Sequence, residues 1–166
     1  MEQKWLKNAE VGNLKEMKEI IQRSRSHGLL QEVKNFKNSS GSTALHWATI
    51  EGHLDICQFL VREELVDVNA KNVYGFNALH FAARENRPEI TKWLLEETSI
   101  GVNAQSKDGW SALHYAAIKN SLEVTRILLK YRPRHLKDKE NYTAFDLARM
   151  LKKEEIFQLL KTHYDL

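Results

Sequence analysis

The sequence predicts an all-α solenoid of about five helix-turn-helix units joined by β-turn or hairpin tips, and three observations lead there. First, one block recurs in register as Gly41 to Ala48 (GSTALHWA), Gly75 to Ala82 (GFNALHFA) and Gly109 to Ala116 (GWSALHYA), its glycines and its histidines His46, His80 and His114 each 34 residues apart. A fixed period of that length marks a repeat array, in which one supersecondary unit is stacked on copies of itself. Second, each block is followed by apolar residues at helical spacing. Third, about two turns after each block begins stands Gly52, Asn86 or Asn120, residue types that accept the left-handed backbone with which a helix ends.

Within a unit the elements follow from local chemistry. Two places after the glycine position come Thr43, Asn77, Ser111 and Thr143, whose side chains accept hydrogen bonds from the free N–H groups of a helix start, so the first helix begins there. The second helix opens after Gly52, Asn86 or Asn120, and Pro88 falls in a first turn, where its missing donor costs little. Its buried face is given by Ile56, Phe59, Leu60 and Val61, by Ile90, Trp93, Leu94 and Leu95, by Val124, Ile127, Leu128 and Leu129, and by Ile156, Leu159 and Leu160. Asp67 to Ala70 and Gly101 to Ala104 are expected as short extended stems leading into the next tip.

The ends are worn copies. Ala9, Gly12, Leu14, Met17, Ile20 and Ile21 align with Thr49, Gly52, Leu54, Cys57, Leu60 and Val61, but the preceding Gly-to-His block is missing. The interval to the next copy is longer by roughly six residues, expected within 22–40 as an exposed basic loop holding Arg23, Arg25 and His27. At the far end Asn141 to Ala148 has Asn in the glycine place and Asp146 in the histidine place. There Lys161 replaces the column of Val61, Leu95 and Leu129, as suits a terminal unit facing water. The units are placed at 1–37 (degenerate, with the loop), 38–71, 72–105, 106–137 and 138–166 (capping), and the chain is expected to be complete without a catalytic domain.

These residues resemble the ankyrin repeat family, whose Gly-x-Thr-Pro-Leu-His-x-Ala-Ala core stands here as Gly41 to Thr49, Gly75 to Ala83 and Gly109 to Ala117, and whose Val-Asn-Ala segment stands as Val68 to Ala70 and Val102 to Ala104. One departure is uniform: Ala44, Ala78, Ala112 and Ala144 occupy the family's proline position, where a strong helix former keeps the first turn. The resemblance covers nearly the whole chain. It implies a stand-alone array that binds proteins on a concave face made by tips and first helices. It also implies that Asn69 and Asn103 are candidates for asparagine hydroxylation.

Composition narrows the function. Hydrophobic residues at 42% and charged ones at 28% fit one soluble globular domain. Apolar runs such as Trp93-Leu94-Leu95 fall far short of the roughly 18 residues of a membrane span, and the start lacks a secretory signal, so an intracellular place, cytoplasmic or nuclear, is expected. The single cysteine, Cys57, agrees with a reducing compartment. A net charge of +3, from 25 basic and 22 acidic residues, does not call for nucleic acid. His46, His80 and His114 fall one per unit, about 10 Å apart if the helices pack normally, too far for a shared zinc. Each is expected instead to hydrogen-bond backbone in its own turn and toward the next. With no phosphate-binding glycine loop or carboxylate pair, neither catalysis, cofactor nor metal is expected.

What remains is a protein-binding adaptor or inhibitor, monomeric on its own. The residue after the glycine is Ser42, Phe76, Trp110 or Tyr142, expected to point outward without core duty. With Tyr74 on the tip, with Trp47, Phe81 and Tyr115 after the histidines, and with Arg84 and Lys119 as polar neighbours, these form the candidate contact row, since binding hot spots favour Trp, Tyr and Arg. Trp47, Phe81 and Tyr115 have an alternative place between neighbouring helices. A second expectation is binding of acidic surfaces or nucleic acid by Arg126, Lys130, Arg132, Arg134, His135, Lys137 and Lys139. A third is a microbial or viral protein that binds a host factor, acting in host cytoplasm.

Overall fold

The computed structural model describes residues 2–166; Met1, with which the first predicted unit opens, lies outside the described residues. The described chain forms α1 (Glu2–Val11), α2 (Leu14–Ser26), α3 (Leu30–Asn35), α4 (Ala44–Glu51), α5 (Leu54–Arg62), α6 (Ala78–Arg84), α7 (Pro88–Glu97), α8 (Ala112–Lys119), α9 (Leu122–Lys130), α10 (Ala144–Met150) and α11 (Glu154–Tyr164), with no β-strand among these residues. Five helix pairs result: α1/α2, α4/α5, α6/α7, α8/α9 and α10/α11. A left-handed residue turns each pair, namely Gly12, Gly52, Asn86, Asn120 and Lys152. The first helices stack in the order α1, α4, α6, α8, α10, and α5, α7, α9 and α11 form a second row behind them.

Between the rows runs one core of small and branched side chains. Leu45, Leu79 and Leu113 of the first helices meet Ile56, Leu60, Ile90, Leu94, Val124 and Leu128 of the second, all buried. Each such side chain contributes about 1.5–3 kcal/mol on burial, yet a unit touches only its neighbours, so stability accumulates interface by interface.

The histidines tie those interfaces together. Thr43, Asn77 and Ser111 cap α4, α6 and α8, and the third helical residue of each, a histidine, completes the box. Nδ1 of His46, His80 and His114 accepts the N–H of Thr43 (3.0 Å), Asn77 (3.1 Å) and Ser111 (3.2 Å). An accepting Nδ1 leaves the proton on Nε2, which donates onward to the next unit. His46 reaches the Ala70 carbonyl (3.1 Å), His80 those of Ala104 (3.1 Å) and Trp110 (3.0 Å), and His114 that of Tyr142 (3.2 Å). Both ring nitrogens are consumed, as expected for structural histidines. Burial pushes His46 and His80 down to about 4 and lowers His114 as well, against the partial support of the carbonyls they face. In the last unit Asp146 takes over the cap, accepting from the N–H (3.0 Å) and Oγ1 (2.7 Å) of Thr143.

Two local expectations are corrected. The segment 22–40 is largely helical: α2 runs on to Ser26, and α3 follows. Leu30 and Val33, three places apart, share one face of α3, so Val33 is buried and Leu30 and Phe36 pack against the core. Arg23, Arg25 and His27 are exposed, but Arg23 and Arg25 lie on the last turn of α2. The Val-Asn-Ala segments are turns, not extended stems. Ala70 N–H donates to the Asp67 carbonyl (3.0 Å) and Ala104 N–H to that of Gly101 (3.1 Å), so pairing starts only at the following residue, with bridges Gln105 to Ser111 and Lys137 to Thr143.

Candidate protein-binding face

Four tips, 38–42, 72–76, 106–110 and 138–142, project from the solenoid and share one construction. The leading residue closes the loop with its backbone N–H on the last carbonyl: Asn38 to Ser42 (3.1 Å), Asn72 to Phe76 (3.0 Å), Ser106 to Trp110 (2.8 Å) and Asp138 to Tyr142 (2.9 Å). Its side chain accepts from inside the same loop, as Asn72 Oδ1 does from the N–H of Tyr74 and of Phe76, both at 3.0 Å. Gly41, Gly75, Gly109 and Asn141 supply the positive φ that the turn requires. Neighbouring tips are bonded to each other, Val73 N–H to Ser40 (2.9 Å), Lys107 to Tyr74 (2.9 Å) and Lys139 to Asp108 (3.0 Å). The leading residues Asn38, Asn72, Ser106 and Asp138 were legible in the sequence as the set three places before the glycine position.

The predicted contact residues separate into three groups. Tyr74 and Tyr142 are exposed, at 57% and 36%. Lys119 is also exposed, while Trp47, Phe76, Arg84, Trp110 and Tyr115 are half-buried. Phe81, at 3% exposure, takes the alternative place between neighbouring helices, and Ser42, at 4%, is buried, which corrects the expectation that it faces outward.

The physical reason is packing of the tips on the first helices, which turns Phe76 toward the first helix of the next unit and Trp110 onto that of its own. Phe76 meets Phe81 edge-on with centroids 5.7 Å apart and Tyr115 of the following unit at 5.5 Å; Trp110 meets Tyr115 at 5.0 Å. Such spacings are those of favourable aromatic pairs, so Phe76 and Trp110 have packing duty as well as an outer edge. Burial in this cluster raises the Tyr115 phenol to about 12, keeping it neutral as donor or acceptor. Arg84 lies over the Phe81 ring, 4.8 Å from its centroid, and its Nε donates to Glu85 (2.6 Å).

This face also has an apolar end that the aromatic pattern of the sequence does not mark. Met150 (56% exposed) and Leu151 are uncovered, and Ile118 and Leu147 are half-buried. Their register was readable: Leu147 follows the histidine place as Trp47, Phe81 and Tyr115 do. On the same face at the other end, Leu6, Phe36 and Trp47 line a groove of about 410 Å³ between α1 and the first tip.

Asn69 is exposed, while Asn103 is half-buried and accepts the Arg134 N–H at 2.7 Å. Cys57 is buried against Thr49 Oγ1 at 3.6 Å, and burial pushes its thiol up to about 12. No helix among the described residues is long and apolar enough to cross a membrane.

A stack of helix pairs with bonded tips and a half-apolar inner face defines a helical repeat solenoid, a class whose surface is organised for association with other macromolecules. The family model for ankyrin repeats (three copies) matches residues 8–105 and 98–166, and the chain belongs to that family. The family is generally one of protein–protein interaction modules and typically non-catalytic. No curated protein matches the sequence.

Proposed function

We propose that this protein is a non-catalytic adaptor or inhibitor that works inside cells, in cytoplasm or nucleus, by holding a protein partner against its inner face. The observation that supports it is the apolar row from Trp47 through Tyr74, Phe76 and Tyr115 to Tyr142 and Met150, exposed or half-buried in each of the four units from residue 38 onward. Contiguous apolar surface on a soluble fold marks interaction sites. The mechanism is occlusion or tethering: the array contributes surface, and the partner's own activity is blocked or relocated.

The test is affinity capture from cell extract with the native chain and a Tyr74→Ala, Tyr142→Ala, Met150→Ala variant. These exposed positions leave the core alone, so the variant is expected to stay folded by circular dichroism. A partner retained by the first and lost by the second supports the proposal; equal retention refutes it.

One observation favours a second reading, binding of acidic surfaces. Arg126, Lys130, Arg132, Arg134, His135, Lys137 and Lys139 are all exposed, and none enters an ion pair among the described residues. They are spread from α9 through the connection to the last tip, which favours diffuse attraction over a defined site. Retention on heparin that collapses with added salt would support it.

A further inference from the structure

The aromatic row has one gap. Phe76 sits between Phe81 of its own unit and Tyr115 of the next. Shifted back by one repeat, that position is Ser42, and the flanking rings are Trp47 and Phe81. A serine side chain ends where the ring would begin, and a cavity of about 230 Å³ opens there, lined by Ser42, Trp47, Tyr74, Phe76, Phe81 and Arg84 among others. By comparison, an apolar cavity of about 150 Å³ already accommodates benzene.

We infer that this notch receives one aromatic side chain of the partner protein, seated between Trp47 and Phe81 as Phe76 is seated between Phe81 and Tyr115. The inference rests on the proposed protein-binding role and names what the partner presents. The chain itself supplies the precedent, because the equivalent place in the next unit is filled by a phenylalanine ring at centroid distances of 5.5 and 5.7 Å. An aliphatic side chain would fill part of the space and forgo the edge-to-face contacts that two flanking rings offer. The walls are held by helices and by the bonded tips, so entry of a ring requires little ordering of the notch itself.

Arg84 sets the chemistry of the rim. Its Nε is held by Glu85, and its remaining guanidinium N–H groups have no protein acceptor among the described residues. No carboxylate is among the described residues that line the notch. With its charge already met by Glu85, Arg84 offers its remaining N–H groups as donors, so the matching segment carries an aromatic residue next to a side chain that can accept a hydrogen bond.

The experiment titrates the full chain with N-acetylphenylalaninamide and, separately, N-acetylleucinamide, followed by the NMR shifts of the Trp47 indole N–H and the Phe81 amide. Saturable shifts are expected with the aromatic amide, roughly tenfold weaker binding with the leucine amide, and loss of both in Ser42→Phe, which plugs the notch with the chain's own ring. Ser42→Ala keeps the response. Should Ser42→Phe fail to fold by circular dichroism, Ser42→Leu fills the same space with a smaller group and decides. Absence of saturation, equal response to the two amides, or an undiminished response in the plugged variant overturns the inference.

The titration needs no partner, so it is separable from the proposed function. If Tyr74→Ala, Tyr142→Ala, Met150→Ala abolishes capture while Ser42→Phe leaves it intact, the notch falls and the inner-face proposal stands. If capture survives in both, the inner-face proposal falls too.

Discussion

Acidification from a pH of about 7.5 to about 5 is expected to destabilise the solenoid by about 4 kcal/mol through two histidines alone. His46 and His80 sit at about 4 in the folded chain against the ordinary histidine value of 6.5. Between those values the unfolded chain binds a proton that the folded chain refuses, so unfolding gains free energy as pH falls. The contribution is fully in place above 6.5, is lost progressively toward 4, and is level below that. With 1.36 kcal/mol per pKa unit, each ring costs about 2 kcal/mol at a pH of about 5. His114, lowered by the same burial, adds in the same direction.

The structural origin is specific. A protonated ring can no longer accept the N–H of Thr43 or Asn77 at Nδ1, so acid breaks a helix cap and leaves a buried donor unpaired. For a chain of 166 residues the loss corresponds to a fall in Tm of about 10 °C. Thermal and urea unfolding at the two pH values, followed by circular dichroism, measure it, while NMR of the ring C–H protons follows the histidines directly. A Tm unchanged over this range, or folded-state ring signals of His46 and His80 that titrate near 6.5, would refute the reasoning.

Other perturbations have opposite expected signs at sites that look alike in sequence. Gly75→Ala puts a Cβ 2.7 Å from the Lys107 backbone nitrogen at a φ of +82°, and is expected to cost about 2 kcal/mol or more in urea unfolding. Gly101→Ala meets nothing within 4 Å and is expected to be neutral or to stabilise by about 0.4–1 kcal/mol; a larger loss at Gly101 than at Gly75 would contradict the turn geometry. Cys57, buried with its thiol raised to about 12, is expected to resist iodoacetamide at neutral pH until denaturant is added; rapid labelling of the folded chain, read by mass spectrometry, would show the site to be open.

What the sequence made legible was local chemistry repeated in register. The capping residues Thr43, Asn77 and Ser111, the left-handed turn residues Gly52, Asn86 and Asn120, and Pro88 at a helix start each act within a few residues, so spacing alone located them. The helix α3 was obscured because it is only six residues long and buries a single residue, Val33, within a segment of positive charge. The direction of Phe76 and Phe81 was illegible for a different reason: it depends on how far one unit rotates against the next, a property of the stack that no single repeat encodes. The open notch at Ser42 appears only when that rotation brings Trp47 and Phe81 to either side of it.

The bonds that join Ser40 to Val73, Tyr74 to Lys107 and Asp108 to Lys139 make the tips behave mechanically as one leaf spring. Moving one tip strains the bond to the next, so a displacement is expected to pass to the tips beside it. A partner that spans several units is met by tips linked in series, and a tip displaced by several ångströms in the complex would be accompanied by graded displacements of the tips beside it.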